Sequence, residues 1–187
     1  APALQFVVDL GEELKKISPE INAVPKIDKS IFRLHRDVRF SKDKSPFKTN
    51  MGLYFWEGKK KRMECSGLYF HAEPGLYFMG TGMYMFNKDS MAKYRAAVYD
   101  LQKGEALNAI VKKIEKKYEV KGENFKKIPR GFDNEYPYAK LLKHNRIYTL
   151  YESKNLDELY KGDAVKIAAK FFKETVALHN WLTEELQ

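Results

Sequence analysis

Apolar residues recur at helical spacing from the start of the chain. Leu4, Val7, Val8, Leu10, Leu14 and Ile17 fall on one stripe, so residues 2–17 are predicted as an amphipathic helix that Ser18-Pro19 ends. Pro2 suits its first turn. From Ile31 the period switches to two, with Phe32, Leu34, Arg36, Val38 and Phe40 alternating against Arg33, His35, Asp37 and Arg39. Two forms fit that pattern. Either the strand runs on, and Arg33, His35, Asp37 and Arg39 share a face, or it ends near His35 and Asp37 caps a tight turn.

Residues 51–56, 66–73 and 76–86 read as further strands, and 147–151 as a fifth. The turns are Glu57-Gly58-Lys59-Lys60 and Pro74-Gly75. In the 66–73 strand Leu68, Phe70 and Ala72 take one face, and Tyr69, His71 and Glu73 the other. After Asn87-Lys88-Asp89-Ser90 the spacing becomes helical, with Asp89 or Ser90 as the cap. Tyr94, Ala97, Val98 and Leu101 form one apolar face; Leu107, Ile110, Val111, Ile114 and Tyr118 form the next. Residues 121–138 read as a loop, and 156–186 as helix divided near Lys161-Gly162-Asp163. This order predicts an α+β fold: an antiparallel meander sheet of four to five strands with helices packed on one face. No repeat or linker divides residues 1–187, so a single domain is expected. A helix that opens on the first residue suggests that a natural N-terminal helical segment precedes it.

Charge adds a location. The chain of 187 residues carries a net +9, and eight of those charges fall within residues 26–62. There three arginines interleave with Phe32, Leu34, Val38 and Phe40, which favour burial. Guanidinium among apolar neighbours suits bidentate recognition of phosphate or carboxylate. One reading is therefore an anion pocket in which Arg33, Arg36, Arg39 and Lys44 converge and Asp37 orients them or acts as a base. The competing reading is an internal ion-pair lattice in which Asp37 and Asp43 neutralise those cations and nothing binds.

Gly80 and Gly82 interrupt a strand, where glycine marks a bulge or a close approach. If Glu73 pairs with Leu76, Tyr69 faces Gly80 and Gly67 faces Gly82, giving a strip of bare backbone beside Tyr69 and His71. A helix packed on that strip is the favoured explanation; a ligand is the alternative. His35 and His71 are candidate acids or bases because histidine titrates near neutrality. His35, His71, His144 and His179 lack metal-ligand spacing, so no metal site is expected, and no cofactor is implied. Residues 129–137 form an ordered loop in which Asp133 reads as an N-cap, with a lid as the second reading. Lys59–Arg62 reads as a solvated turn. Cys65 is the only cysteine, which excludes an intrachain disulfide. Without an apolar run of membrane length, a cytoplasmic protein with no membrane partner is expected.

The run Arg33-x-x-Arg36-Asp37-x-Arg39-Phe40-x-x-Asp43-Lys44-x-x-Phe47 resembles the signature of a mostly bacterial group of conserved hypothetical proteins, the domain of unknown function family 2461. Its last aromatic is usually Tyr; here it is Phe47, which has no hydroxyl. Residues 67–73, Gly80-Thr81-Gly82, Pro129-Arg130-Gly131-Phe132-Asp133 and Trp181-Leu182 extend the likeness over nearly the whole chain. The Asn-Asn pair and Trp-Phe that open its members are not present. The resemblance implies a fold and a site, but no reaction. The expected function is binding of a phosphate-bearing small molecule or nucleotide at the arginine motif. A nucleic-acid-binding module on the same basic surface is the second reading, and structural use of the motif with a protein-interaction role the third. Whether a reaction is catalysed, and in what oligomeric state, the sequence leaves open.

Overall fold

Apolar spacing and caps set the helices. α1 (Pro2–Lys15) buries Val7, Leu10 and Leu14. α2 (Lys88–Tyr99) begins at a reciprocal capping box between Asn87 and Ser90, so Asn87 is the cap and Ser90 the third helical residue, a correction to Asp89 or Ser90. Asp100 closes α2 and caps α3 (Leu101–Ile114). Leu101 therefore opens a new helix and stands exposed instead of extending the α2 face. α4 (Asp157–Lys161) and α5 (Ala164–Leu186), capped by Asp163, are the two pieces expected. The computed structural model describes residues 2–40, 42, 44–161 and 163–187; Asp43 of the motif and Gly162 at the helix break lie outside them.

Among the described residues the strands are β1 (Met51–Trp56), β2 (Gly67–Glu73), β3 (Leu76–Met83), β4 (Glu119–Glu123) and β5 (His144–Ser153). They form one antiparallel sheet in the order β1-β2-β3-β5-β4. β1 to β3 is the expected meander; β5 then enters beside β3 and leaves β4 at the edge. Two expectations change here. Residues 31–40 form no named strand: isolated bridges take its place, Ile31 to Ile27 and Leu53, and His35 to Phe47. Residues 119–123, the last three of which read as the start of a loop, form β4 instead.

The helices share one face of the sheet. Leu53, Phe55, Leu68, Phe70, Tyr77 and Met79 meet α1 and the first half of α5 in one core cluster. α2, α3 and the second half of α5 close over Met83 and Ile147 in another. The hydroxyls of Thr81 and Thr175 stand 2.7 Å apart, fixing β3 to α5. The strand alternation then sends Gly52, Tyr54, Tyr69, His71, Phe78, Gly80, Gly82, Tyr148 and Glu152 to the opposite face.

Candidate functional site: an aromatic hollow on the open sheet face

The β2–β3 hairpin has the register supposed for it. Glu73 pairs with Leu76, Tyr69 with Gly80 and Gly67 with Gly82. Gly80 and Gly82 form a backbone floor, and among the described residues no helix lies on it, because the helices occupy the other face. This overturns the favoured explanation for the strip. Above it is a hollow of about 470 Å³ lined by Phe32, Tyr54, Met63, Gly67, Tyr69, Phe78, Gly80, Thr81, Gly82, Tyr84, Tyr148, Leu150 and Glu152.

Local geometry keeps the floor bare. Gly82 has φ +133°, a conformation side chains rarely adopt, and a Cβ there would lie 2.3 Å from the Ile147 carbonyl. At Gly80 a Cβ would lie 2.9 Å from the Thr149 carbonyl. There the ladder is completed by a side chain: the Thr81 amide donates to the Thr149 hydroxyl at 3.0 Å. The Tyr54 ring leans over Gly67, and its hydroxyl donates to the Cys65 carbonyl at 2.9 Å. Burial raises the Tyr54 pKa, so this side chain stays neutral.

The walls are aromatic and braced by cations. Phe32 meets Tyr69 edge-on at 5.8 Å and carries the Arg62 guanidinium over its ring at 4.4 Å. Arg62 also donates to the Lys29 carbonyl, so the segment read as a solvated turn puts a cation on Phe32, one wall of the hollow. Across the sheet, Tyr84 and Tyr148 stand 5.4 Å apart, with Arg146 over Tyr84 at 5.2 Å. Phe78, Tyr84, Tyr148, Arg62, Arg146 and Glu152 were missed by sequence reasoning. Parity was the available signal: Phe78 and Tyr84 alternate in step with Gly80 and Gly82.

Beside the hollow, Tyr69 Oη lies 2.9 Å from His71 Nδ1, and His71 Nε2 lies 3.3 Å from Glu73 Oε2. The His71 imidazole stacks on Phe78 at 4.3 Å and 16°. Thus Tyr69, Gly80 and Gly82 line the hollow and His71 adjoins it.

The arginine motif lies elsewhere. Residues 33–40, 42 and 44–48 belong to an arm closed by hydrogen bonds from the Arg36 amide to the Pro46 carbonyl (3.0 Å) and from the Lys48 amide to the Leu34 carbonyl (2.8 Å). His35 packs against Phe47 at 4.8 Å. Asp37 accepts from Arg39 through both carboxylate oxygens, at 2.9 and 2.6 Å. That pairing, chiefly, and more weakly Arg33, hold the Asp37 carboxyl below its usual pKa. Lys44 donates to the Val38 carbonyl at 3.0 Å. Arg33, Arg39 and Lys44 are exposed and Arg36 is half-buried. The expected burial of the interleaved apolar residues is not found for Leu34 (40% exposed) or Phe40 (96%). Arg33, Arg36, Arg39 and Lys44 do not line the hollow; Phe32, next to Arg33, does.

The 129–137 loop packs on α2 instead of covering the hollow. Tyr99 meets Phe132 and Tyr136, and the Tyr136 hydroxyl donates to the Val98 carbonyl. Asp133 accepts from the Glu135 amide, capping a turn with no helix directly after it.

Among the described residues no three His, Cys, Asp or Glu side chains gather to hold a metal ion. No helix there is long and apolar enough to cross a membrane. A family model described as conserved hypothetical protein (DUF2461) matches residues 1–181. No curated protein and no solved structure matches the chain.

Proposed function

The chain belongs to the DUF2461 family of conserved hypothetical proteins, and we propose that it binds a small molecule joining a flat ring to an anionic group, phosphate or carboxylate. The ring lies on the Gly80–Gly82 floor between Tyr69 and Tyr148, with the Tyr54 ring over Gly67 closing one end. The anion is drawn by Arg62 and Arg146, with Arg33, Arg36, Arg39 and Lys44 of the arm adding positive potential from outside. One observation carries this reading: a hollow of about 470 Å³ with aromatic walls and a backbone floor, on a sheet face without a helical cover. That volume and lining suit a small ligand, and a bare peptide floor lets a ring approach closely. Guanidinium beside aromatic walls favours an anion attached to a ring.

Titration of the protein with adenosine monophosphate and with phenylpyruvate, read by calorimetry, tests the reading. At least one should bind, and Tyr148→Ala should weaken that binding about tenfold through lost stacking. Failure of both probes to bind at millimolar concentration overturns it.

One observation favours a second reading, single-stranded nucleic acid along the arm. Phe40 is 96% and Phe47 56% exposed beside Arg39, Lys42 and Lys44, offering stacking rings among cations. Salt separates the two: oligonucleotide affinity on the arm falls steeply with ionic strength, while a probe in the hollow responds weakly.

A further inference from the structure

We propose that Tyr69, His71 and Glu73 form a proton relay that gives the hollow acid–base chemistry on a ring-bearing carbonyl compound. The inference rests on the hollow being the ligand site. The three residues stand two apart along β2, so the pleat brings them to the same face, and they are linked at 2.9 and 3.3 Å.

The partners fix the direction of the relay. A carboxylate only accepts, so Glu73 takes the hydrogen of His71 Nε2. Nδ1 is then the bare nitrogen and accepts from the Tyr69 hydroxyl. Stacking on Phe78 holds the imidazole in place, and His71 is only 8% exposed. Gly52 leaves room at the other end: a Cβ there would lie 2.7 Å from the Tyr69 hydroxyl oxygen. Burial and the negative charge of Glu73 push the Tyr69 pKa up to about 12, so the hydroxyl keeps its proton near neutrality. The relay thus runs from a ring that lines the hollow, through a buried base, to a half-exposed carboxylate at the hairpin end.

The step needs no second substrate. A C–H beside a ketone gives its proton to the Tyr69 oxygen while the Tyr69 proton passes to His71 Nδ1. The C–H pair becomes the carbon–carbon double bond of the enolate, and the carbonyl π pair moves to oxygen. The imidazolium formed is held by Glu73. The substrate-derived proton on Tyr69 trades with water entering the open hollow, and the return transfer then places a solvent proton on carbon, which completes the exchange, or on oxygen, which yields the enol. Tyr69 is the catalytic residue in contact with substrate, and His71 and Glu73 act through it.

The test follows loss of the benzylic protons of phenylpyruvate in deuterium oxide by proton NMR, with probe affinity measured in parallel. The wild-type protein should accelerate exchange of the bound probe about a hundredfold or more, the usual scale of positioned acid–base catalysis. Tyr69→Phe and His71→Gln should each remove most of that gain. Glu73→Gln should lower the exchange rate about tenfold with probe affinity unchanged, a split that a purely structural acid would not give. Binding without faster exchange overturns the relay and leaves the ligand site standing. Absence of phenylpyruvate binding overturns the relay, and the ligand site falls with it only where adenosine monophosphate also fails to bind. The wild-type result decides the matter even where a variant fails to fold.

Discussion

Asp37 sits at the surface, paired with Arg39 through both oxygens. Water screens such a pair, so Asp37→Ala should leave the melting temperature unchanged. A clear drop would mean that the arm is held by more than this contact. His179 has the opposite setting. It is fully buried, with Nδ1 3.0 Å from the Ser66 hydroxyl and Nε2 3.6 Å from Glu57. Burial outweighs Glu57 and lowers its pKa, and burial lowers that of His144 as well. Unfolded, both take up protons near the ordinary value of 6.5; folded, they resist. The unfolded state therefore binds more protons in acid, and stability present above about pH 6.5 should be lost as pH falls below it. Urea midpoints at neutral and mildly acidic pH check this, and His179→Gln should reduce the slope. A midpoint that rises in acid contradicts it.

At the scale of elements, the hairpin register decides where the glycines lie. Gly80→Val should cost about 1–3 kcal/mol by overpacking, because its Cβ meets the Thr149 carbonyl. Denaturant unfolding measures this, and an unchanged midpoint would mean that β3 and β5 separate freely there. The register was legible because Pro74-Gly75 fixes the turn and parity fixes every later pair. The face that the helices take was not legible, since both faces of β2 carry aromatic residues, Phe70 on one and Tyr69 on the other. Residues 31–40 alternate like a strand, but alternation reports two sides only where a neighbour pairs, and past Ile31 the chain leaves the sheet to form the arm. β4 was hidden for the converse reason: Glu119, Lys121 and Glu123 mark a charged edge strand with little apolar content.

At the scale of the whole molecule, α5 spans both core clusters, so one helix fastens the sheet along its covered side. The opposite side is thereby held rigid without being filled. Composition drew attention to the arm, where charge is dense; packing put the enclosed space over the glycines instead. Charge is visible in a sequence at once, whereas a hollow is a property of register and of the face left uncovered. The most direct measurement is an amide proton–nitrogen NMR map during titration with the ring-bearing anion that binds. The account predicts the largest shifts at Gly67, Tyr69, Gly80, Gly82 and Tyr148. Shifts confined to residues 33–48, with the glycine strip silent, would contradict it.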